Sequence, residues 1–141
     1  MLVRRTQAPR HGAVAVELAV LLPLLMFLAV IGVDYARVFS RTLILETASR
    51  NAAWYACQDS TKAADTAGIQ AVAQKDLADI TPTPTVTSST YTGTDGFLHV
   101  KVTVSVTFNT VTNFPAVPHS SNLSRTTDFR VCPKTPKPGT F

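Results

Sequence analysis

The sequence contains few of the residues from which catalytic and metal sites are commonly built. Its 141 residues include six glycines, two cysteines and three histidines, with no glycine-rich phosphate loop and no nucleophile elbow. The histidines His11, His99 and His119 are too scattered for zinc-ligand spacing. We therefore predict no enzyme activity, no metal site and no cofactor.

The sequence also lacks a large excess of charge beyond its first residues. Three of its 13 Lys and Arg residues are Arg4, Arg5 and Arg10, so ten basic side chains remain from Ala13 onward, against 9 Asp and Glu. Such a balance leaves no field that would attract a polyanion. Nucleic acid is therefore not a predicted partner.

What the sequence does contain is one long apolar run, residues 13–33, in which Glu17 is the only charged residue. As a helix this run is roughly 30 Å long, the thickness of the hydrocarbon core of a bilayer. A cleaved secretory signal would have a shorter apolar core, so we predict a transmembrane helix. The arginines before it form a basic leader, residues 1–12, which places the N-terminus in the cytoplasm and residues 34–132 outside it.

The helical pattern continues past the apolar run. Residues of one stripe recur at steps of three and four, and neither Pro nor Gly interrupts them: Tyr35, Val38, Thr42, Leu45, Ser49, Ala52 and Ala56. We predict one helix over residues 13–57, bent or locally loosened at Pro23 because proline cannot donate a backbone hydrogen bond. The small residues Ser49, Ala52, Ala53 and Ala56 would allow close approach either of another helix or of the domain's own sheet.

The remainder of the chain predicts a small α+β domain. An apolar face at helical spacing indicates a short amphipathic helix over residues 63–79, which Pro82 and Pro84 follow. Three β-prone segments, residues 86–91, 97–109 and 123–131, predict an antiparallel meander, and strict alternation buries one face of the second strand, from Val100 to Phe108. The tail, residues 133–141, is rich in Pro and is predicted to be disordered.

The two cysteines, Cys57 and Cys132, both fall on the predicted outer side of the membrane, where thiols tend to be oxidised. We predict one structural disulfide, which in the loop-entropy model contributes about 4 kcal/mol. Two buried free thiols are the alternative, because sequence does not give the distance between them.

Three segments together resemble the N-terminal signature of TadE-like proteins, the pilin-like components of Tad (Flp, type IVb) pilus systems: residues 10–19 (RHGAVAVELA), 21–25 (LLPLL) and 32–37 (GVDYAR). The resemblance implies a pilin-like fold in a single-pass protein of the bacterial inner membrane, or of a surface pilus once assembled. It also implies cleavage by a prepilin peptidase between Gly12 and Ala13, and it makes Glu17 the signature acid. Other implied partners are pilin-like subunits and inner-membrane pilus-assembly proteins.

Electrostatics provides an independent reason for a carboxylate at position 17. Cleavage after Gly12 would leave a positive α-amino group on Ala13, about one helical turn before the carboxylate. In a bundle of such helices, pairing of the two charges would set the axial register, because a mismatched neighbour leaves a charge unpaired in lipid. The alternative is a glutamate that snorkels to the inner interface.

The leading functional hypothesis is a minor pilin-like (pseudopilin) subunit in the assembly of a Tad-type pilus or a related secretion machine. The alternative is an uncleaved, membrane-anchored adaptor whose external domain binds a partner protein. A membrane-tethered hydrolase would need a clustered nucleophile and base, which the sequence does not show.

Overall fold

One helix, α1 (His11–Ala56), dominates the fold. The computed structural model describes residues 11–110 and 120–133, so most of the predicted leader and tail lie outside the described residues. From residue 12 to residue 33 every side chain is exposed except that of Phe27, which is half-buried. Among the described residues, α1 is the one helix long and apolar enough to cross a membrane. It is compatible with a single-pass anchor.

The second half of α1 forms one wall of the domain core. The predicted stripe is confirmed there, since Leu45, Ser49, Ala52 and Ala56 are fully buried. The small residues thus let the domain's own sheet approach the helix closely, and they are not free for another helix. Tyr35, the first residue predicted in the stripe, is instead exposed.

Two short helices stand where one amphipathic helix, residues 63–79, was predicted: α2 (Ser60–Ala64) and α3 (Thr66–Asp76). The single-helix prediction is wrong because two aspartates act as N-caps six residues apart. Asp59 accepts hydrogen bonds from the N–H groups of Thr61 and Lys62. Asp65 leaves helical geometry and accepts from Gly68 N–H at 2.9 Å. The predicted apolar face is nevertheless buried, with Ile69, Ala73, Leu77 and Ile80 in the core.

Three antiparallel strands form the predicted meander in the order β1-β2-β3. They are β1 (Thr85–Thr92), β2 (Leu98–Asn109) and β3 (Ser120–Arg130). Val104 of β2 pairs with Val86 on one side and with Arg125 on the other. The β1-β2 turn contains Gly96 at φ +76°, a left-handed conformation that favours glycine.

The core lies between α1, α3 and one face of the sheet. The alternation predicted for β2 is confirmed, because its inward residues are all buried: Val100, Val102, Val104, Val106 and Phe108. A side-chain hydrogen bond also ties α1 to β3, with 2.8 Å between Ser49 Oγ and Thr127 Oγ1. The α+β fold class predicted from the sequence is therefore confirmed.

Candidate functional site

The predicted cleavage site lies in the first turn of α1. A Cβ atom added at Gly12 would meet no described atom within 4 Å, and the side chains of Ala13 and Glu17 are exposed. Glu17 sits among apolar side chains, sharing a shallow surface depression with Val16, Val20 and Leu21. These residues lie on a segment of α1 against which no other described part of the chain packs, so they are accessible. Cleavage at Gly12-Ala13 and the register role of Glu17 stay predictions.

Pro23 lies inside α1, which continues through this position without a break. Proline leaves one carbonyl of the preceding turn without its usual amide donor. The predicted kink at this position stays a prediction.

Beyond the predicted span, α1 has a face that the domain does not cover. Large apolar side chains are exposed along it, namely Tyr35 (72%), Phe39 (57%), Leu43 (47%) and Trp54 (65%). Steps of four join the first three, and Trp54 follows Leu43 by about three turns, so all four project from one side. Sequence analysis missed this row because it assigned Tyr35 to the buried stripe.

This row continues into the predicted membrane span. Glu17 and Tyr35 are 18 residues apart, about five full turns at 3.6 residues per turn, so they share one side of the helix. Steps of three and four connect them through exposed Leu21, Leu24, Leu28 and Ile31. We call this surface, from Glu17 to Trp54, the open face of α1. It is apolar apart from Glu17 and the ion pair of Glu46 with Arg50, whose atoms lie 3.0 Å apart.

The domain begins directly where the predicted span ends. Asp34 is buried, and its Oδ1 lies 3.4 Å from Arg37 Nη1. The Arg37 guanidinium in turn lies 5.3 Å from the centre of the Phe108 ring at the end of β2, a cation–π contact. Because α1 meets β2 at its first residues beyond the predicted span, little spacer separates the domain from that span. Sequence analysis missed these contacts: the spacing of three residues between Asp34 and Arg37 favours their ion pair on a helix, but it does not indicate the contact with Phe108.

A polar cluster lies at the opposite end of the sheet, near the β1-β2 turn. His99 Nε2 is 3.1 Å from Asp95, and its Nδ1 is 3.4 Å from Asp128. Tyr91 donates a hydrogen bond to Asp128, which raises the pKa of the phenol. The backbone N–H of Phe97 donates a hydrogen bond to Asp95 and is the main cause of the lowered pKa of this carboxylate. The His99 ring lowers this pKa further. The cluster joins all three strands on the face of the sheet opposite the buried residues Val100 to Phe108.

The two cysteines are neighbours, although the structure has them as free thiols. The N–H of Cys132 donates to the carbonyl of Cys57 at 2.7 Å. Cys57 is buried and Cys132 is exposed, so the alternative of two buried thiols fits only the first. The predicted disulfide stays a prediction.

The family model of TadE-like proteins matches residues 12–54. The match starts at Gly12, ends at Trp54 and lies entirely within α1. It confirms the resemblance over this segment, which contains the whole of the open face. No curated protein matches the chain, and no solved structure matches it.

Proposed function

We propose that this chain is a pilin-like subunit that takes part in assembly of a Tad-type pilus or a related secretion machine. In this proposal α1 anchors the protein in the bacterial inner membrane, with its N-terminus in the cytoplasm and the domain outside. The role is one of assembly and needs no catalytic group. The partners are a prepilin peptidase, pilus-assembly proteins of the inner membrane and other subunits with a comparable helix.

The observation that carries the proposal is the agreement between the family match and the open face. Residues 12–54 match TadE-like proteins, and the same helix uses one side for its own domain and leaves the other uncovered. The uncovered side bears large apolar residues well past the predicted span, where water would otherwise meet them. A helix from another subunit would cover them from Glu17 to Trp54, about 55 Å along the axis.

Glu17 has a specific part in this packing. Processing after Gly12 would create an ammonium on Ala13, which lies one turn from Glu17. Their pairing, within one helix or between neighbours, would fix how far adjacent helices slide past each other. The adjacent apolar side chains of Val16, Val20 and Leu21 would hold the pair in a poorly solvated seam, where an unpaired charge is costly.

Processing is tested by mass spectrometry of the mature N-terminus in cells that contain the peptidase. The wild-type chain should begin at Ala13. Replacing Gly12 with Val should leave Met1 or the intact leader in place. Gly32→Val is the matched control, since an added Cβ at Gly32 also meets nothing within 4 Å, and it should be processed normally. A wild-type chain that keeps its leader would favour the uncleaved adaptor.

The register role is tested with Glu17→Ala. Membrane insertion should be intact or improved, because a charge in the span costs up to about 3 kcal/mol. Co-purification with a second tagged copy and with pilus-machine components should fall, since truncating one partner of a buried pair typically costs about 3–5 kcal/mol. Asp79→Ala, which removes an exposed carboxylate of the domain that lies outside α1, is the control and should co-purify normally. Normal co-purification of the Glu17 variant would leave Glu17 as a snorkelling acid, and loss of insertion would contradict the predicted topology.

A further inference from the structure

The two cysteines occupy the two ends of the domain's chain. Cys57 directly follows the last residue of α1, and Cys132 lies two residues beyond the end of β3. All of α2, α3 and the sheet lie between them in sequence. The backbone hydrogen bond from Cys132 to Cys57, at 2.7 Å, brings these ends together.

The backbone contact satisfies the main geometric requirement for a disulfide. Standard backbone bond lengths on either side of this 2.7 Å hydrogen bond keep the two Cα atoms no more than about 6.6 Å apart, below the upper limit of about 6.8 Å found across disulfides. Cys132 is also held from the other side, because the N–H of Val131 donates to the carbonyl of Leu98 at 2.8 Å. Both cysteines are therefore positioned by backbone contacts before any covalent bond forms.

The two thiols differ in their access to solvent. Cys57 is 9% exposed, and its Sγ donates to the carbonyl of Trp54 at 3.3 Å. Burial raises the pKa of the Cys57 thiol, and the nearby Cys132 adds to the rise. Cys132 is exposed. Because Cys57 is buried and Cys132 is exposed, an incoming reagent meets Cys132 first.

We propose that Cys57 and Cys132 form a site of thiol–disulfide exchange in which Cys132 reacts first and Cys57 completes an internal disulfide. The oxidant is a protein or low-molecular-weight disulfide of the extracytoplasmic compartment. The Cys132 thiolate attacks one oxidant sulfur, so the oxidant's S–S bond breaks, a mixed disulfide forms and one oxidant thiolate leaves. The Cys57 thiolate then attacks Cys132 Sγ, forms the internal bond and releases the second oxidant thiolate. The protons of the two cysteines pass to those two thiolates, so one disulfide is reduced for each one made.

The internal bond would close a loop that contains the whole domain except its wall of α1. Unfolding could then no longer separate the end of β3 from the end of the helix, and the unfolded chain would lose conformational freedom. The site does not depend on the proposed role in pilus assembly, since only the domain's own residues form it.

The test uses the full chain in detergent micelles, treated with oxidised glutathione after complete reduction and measured by intact mass. The wild-type chain should lose two hydrogens and retain no glutathione. Cys57→Ser should accumulate one glutathione, mapped to Cys132. Cys132→Ser should react with glutathione at least about tenfold more slowly, because its remaining thiol is buried. Oxidation should raise the melting temperature of the wild-type chain and change that of neither variant.

The proposal is overturned if the wild-type chain keeps two alkylatable thiols after oxidation, or if its product is a disulfide-linked dimer. Equal rates for the two single variants would overturn the order of attack. Because the wild-type mass is decisive alone, the result holds even if a serine variant does not fold.

Discussion

Replacing Leu45 with Ala tests whether the second half of α1 is the central wall of the domain. Leu45 is 0% exposed and belongs to the same buried cluster as Val102 and Val104. Truncation to Ala removes three carbon atoms, a transfer loss of about 2.4 kcal/mol at roughly 0.8 per methylene. The cavity left beneath the sheet raises the expected cost to about 3–4 kcal/mol. Domains of this size are stable by only about 5–15 kcal/mol.

Leu43 is the matched control, since it is the same residue type two positions away on α1. Its side chain is 47% exposed and lies on the open face. Leu43→Ala should change domain stability by no more than about 0.5 kcal/mol. If the open face is an association surface, the same variant should reduce co-purification with a second tagged copy. The two substitutions would then separate the two sides of one helix.

Amide hydrogen exchange on β2 is the suitable measurement, because we expect the predicted membrane half of α1 to stay helical in detergent and to mask a change in circular dichroism. The reduced protein is used so that no disulfide contributes. A loss of about 3 kcal/mol corresponds to exchange that is roughly 100-fold faster at Val102 and Val104. Leu45→Ala with less than a fivefold increase, or equal increases for Leu45→Ala and Leu43→Ala, would refute the assigned helix face.

Two further predictions concern contacts inside the domain. Ser49→Ala and Thr127→Val should each lower the free energy of unfolding of the domain. The double variant should lose about 1 kcal/mol less than the sum of the two single losses, because the two hydroxyls share one hydrogen bond. Additive losses would argue against that bond. Gly68→Ala should lower the melting temperature, since its Cβ would lie 2.2 Å from Asp65 Oδ2 and displace the cap of α3, whereas Gly32→Ala meets nothing and should be neutral. The hydrogen bond from the Gly68 N–H is the main cause of the lowered pKa of Asp65. The stability that the ionised Asp65 cap contributes is therefore present above the usual carboxyl pKa and is lost as pH falls through the lowered pKa of Asp65. Melting curves at stepwise lower pH would measure this loss.

Periodicity predicted most of the fold because two clear patterns occur in the chain. The steps of three and four from Leu45 to Ala56 correspond to the buried side of α1, and the alternation from Val100 to Phe108 corresponds to the inner face of β2. The break between α2 and α3 was missed because the apolar spacing continues across Asp65. The break depends on side-chain capping, which apolar spacing does not report.

The candidate site was less accessible from sequence. Gly12, Ala13 and Glu17 could be named because the apolar run and the family signature mark them. The outer half of the open face could not be predicted from the sequence, because the exposed Tyr35 and Trp54 are as apolar as the residues that are buried. Only the position of the sheet decides which side of a helix is covered, and that position depends on contacts distant in sequence, such as Ser49 with Thr127.

Because α1 is one continuous helix, a change in the tilt of its first half also moves the domain that packs on its second half. From Asp34 to Ala56 the helix extends about 34 Å beyond the predicted span, and the sheet is fastened along it from Arg37 to Cys57. A tilt of about 20°, ordinary for a membrane helix, would move its far end sideways by about 12 Å. In the predicted topology, bilayer thickness and the packing of neighbouring helices set that tilt, and they therefore also set the position of the domain relative to the membrane surface.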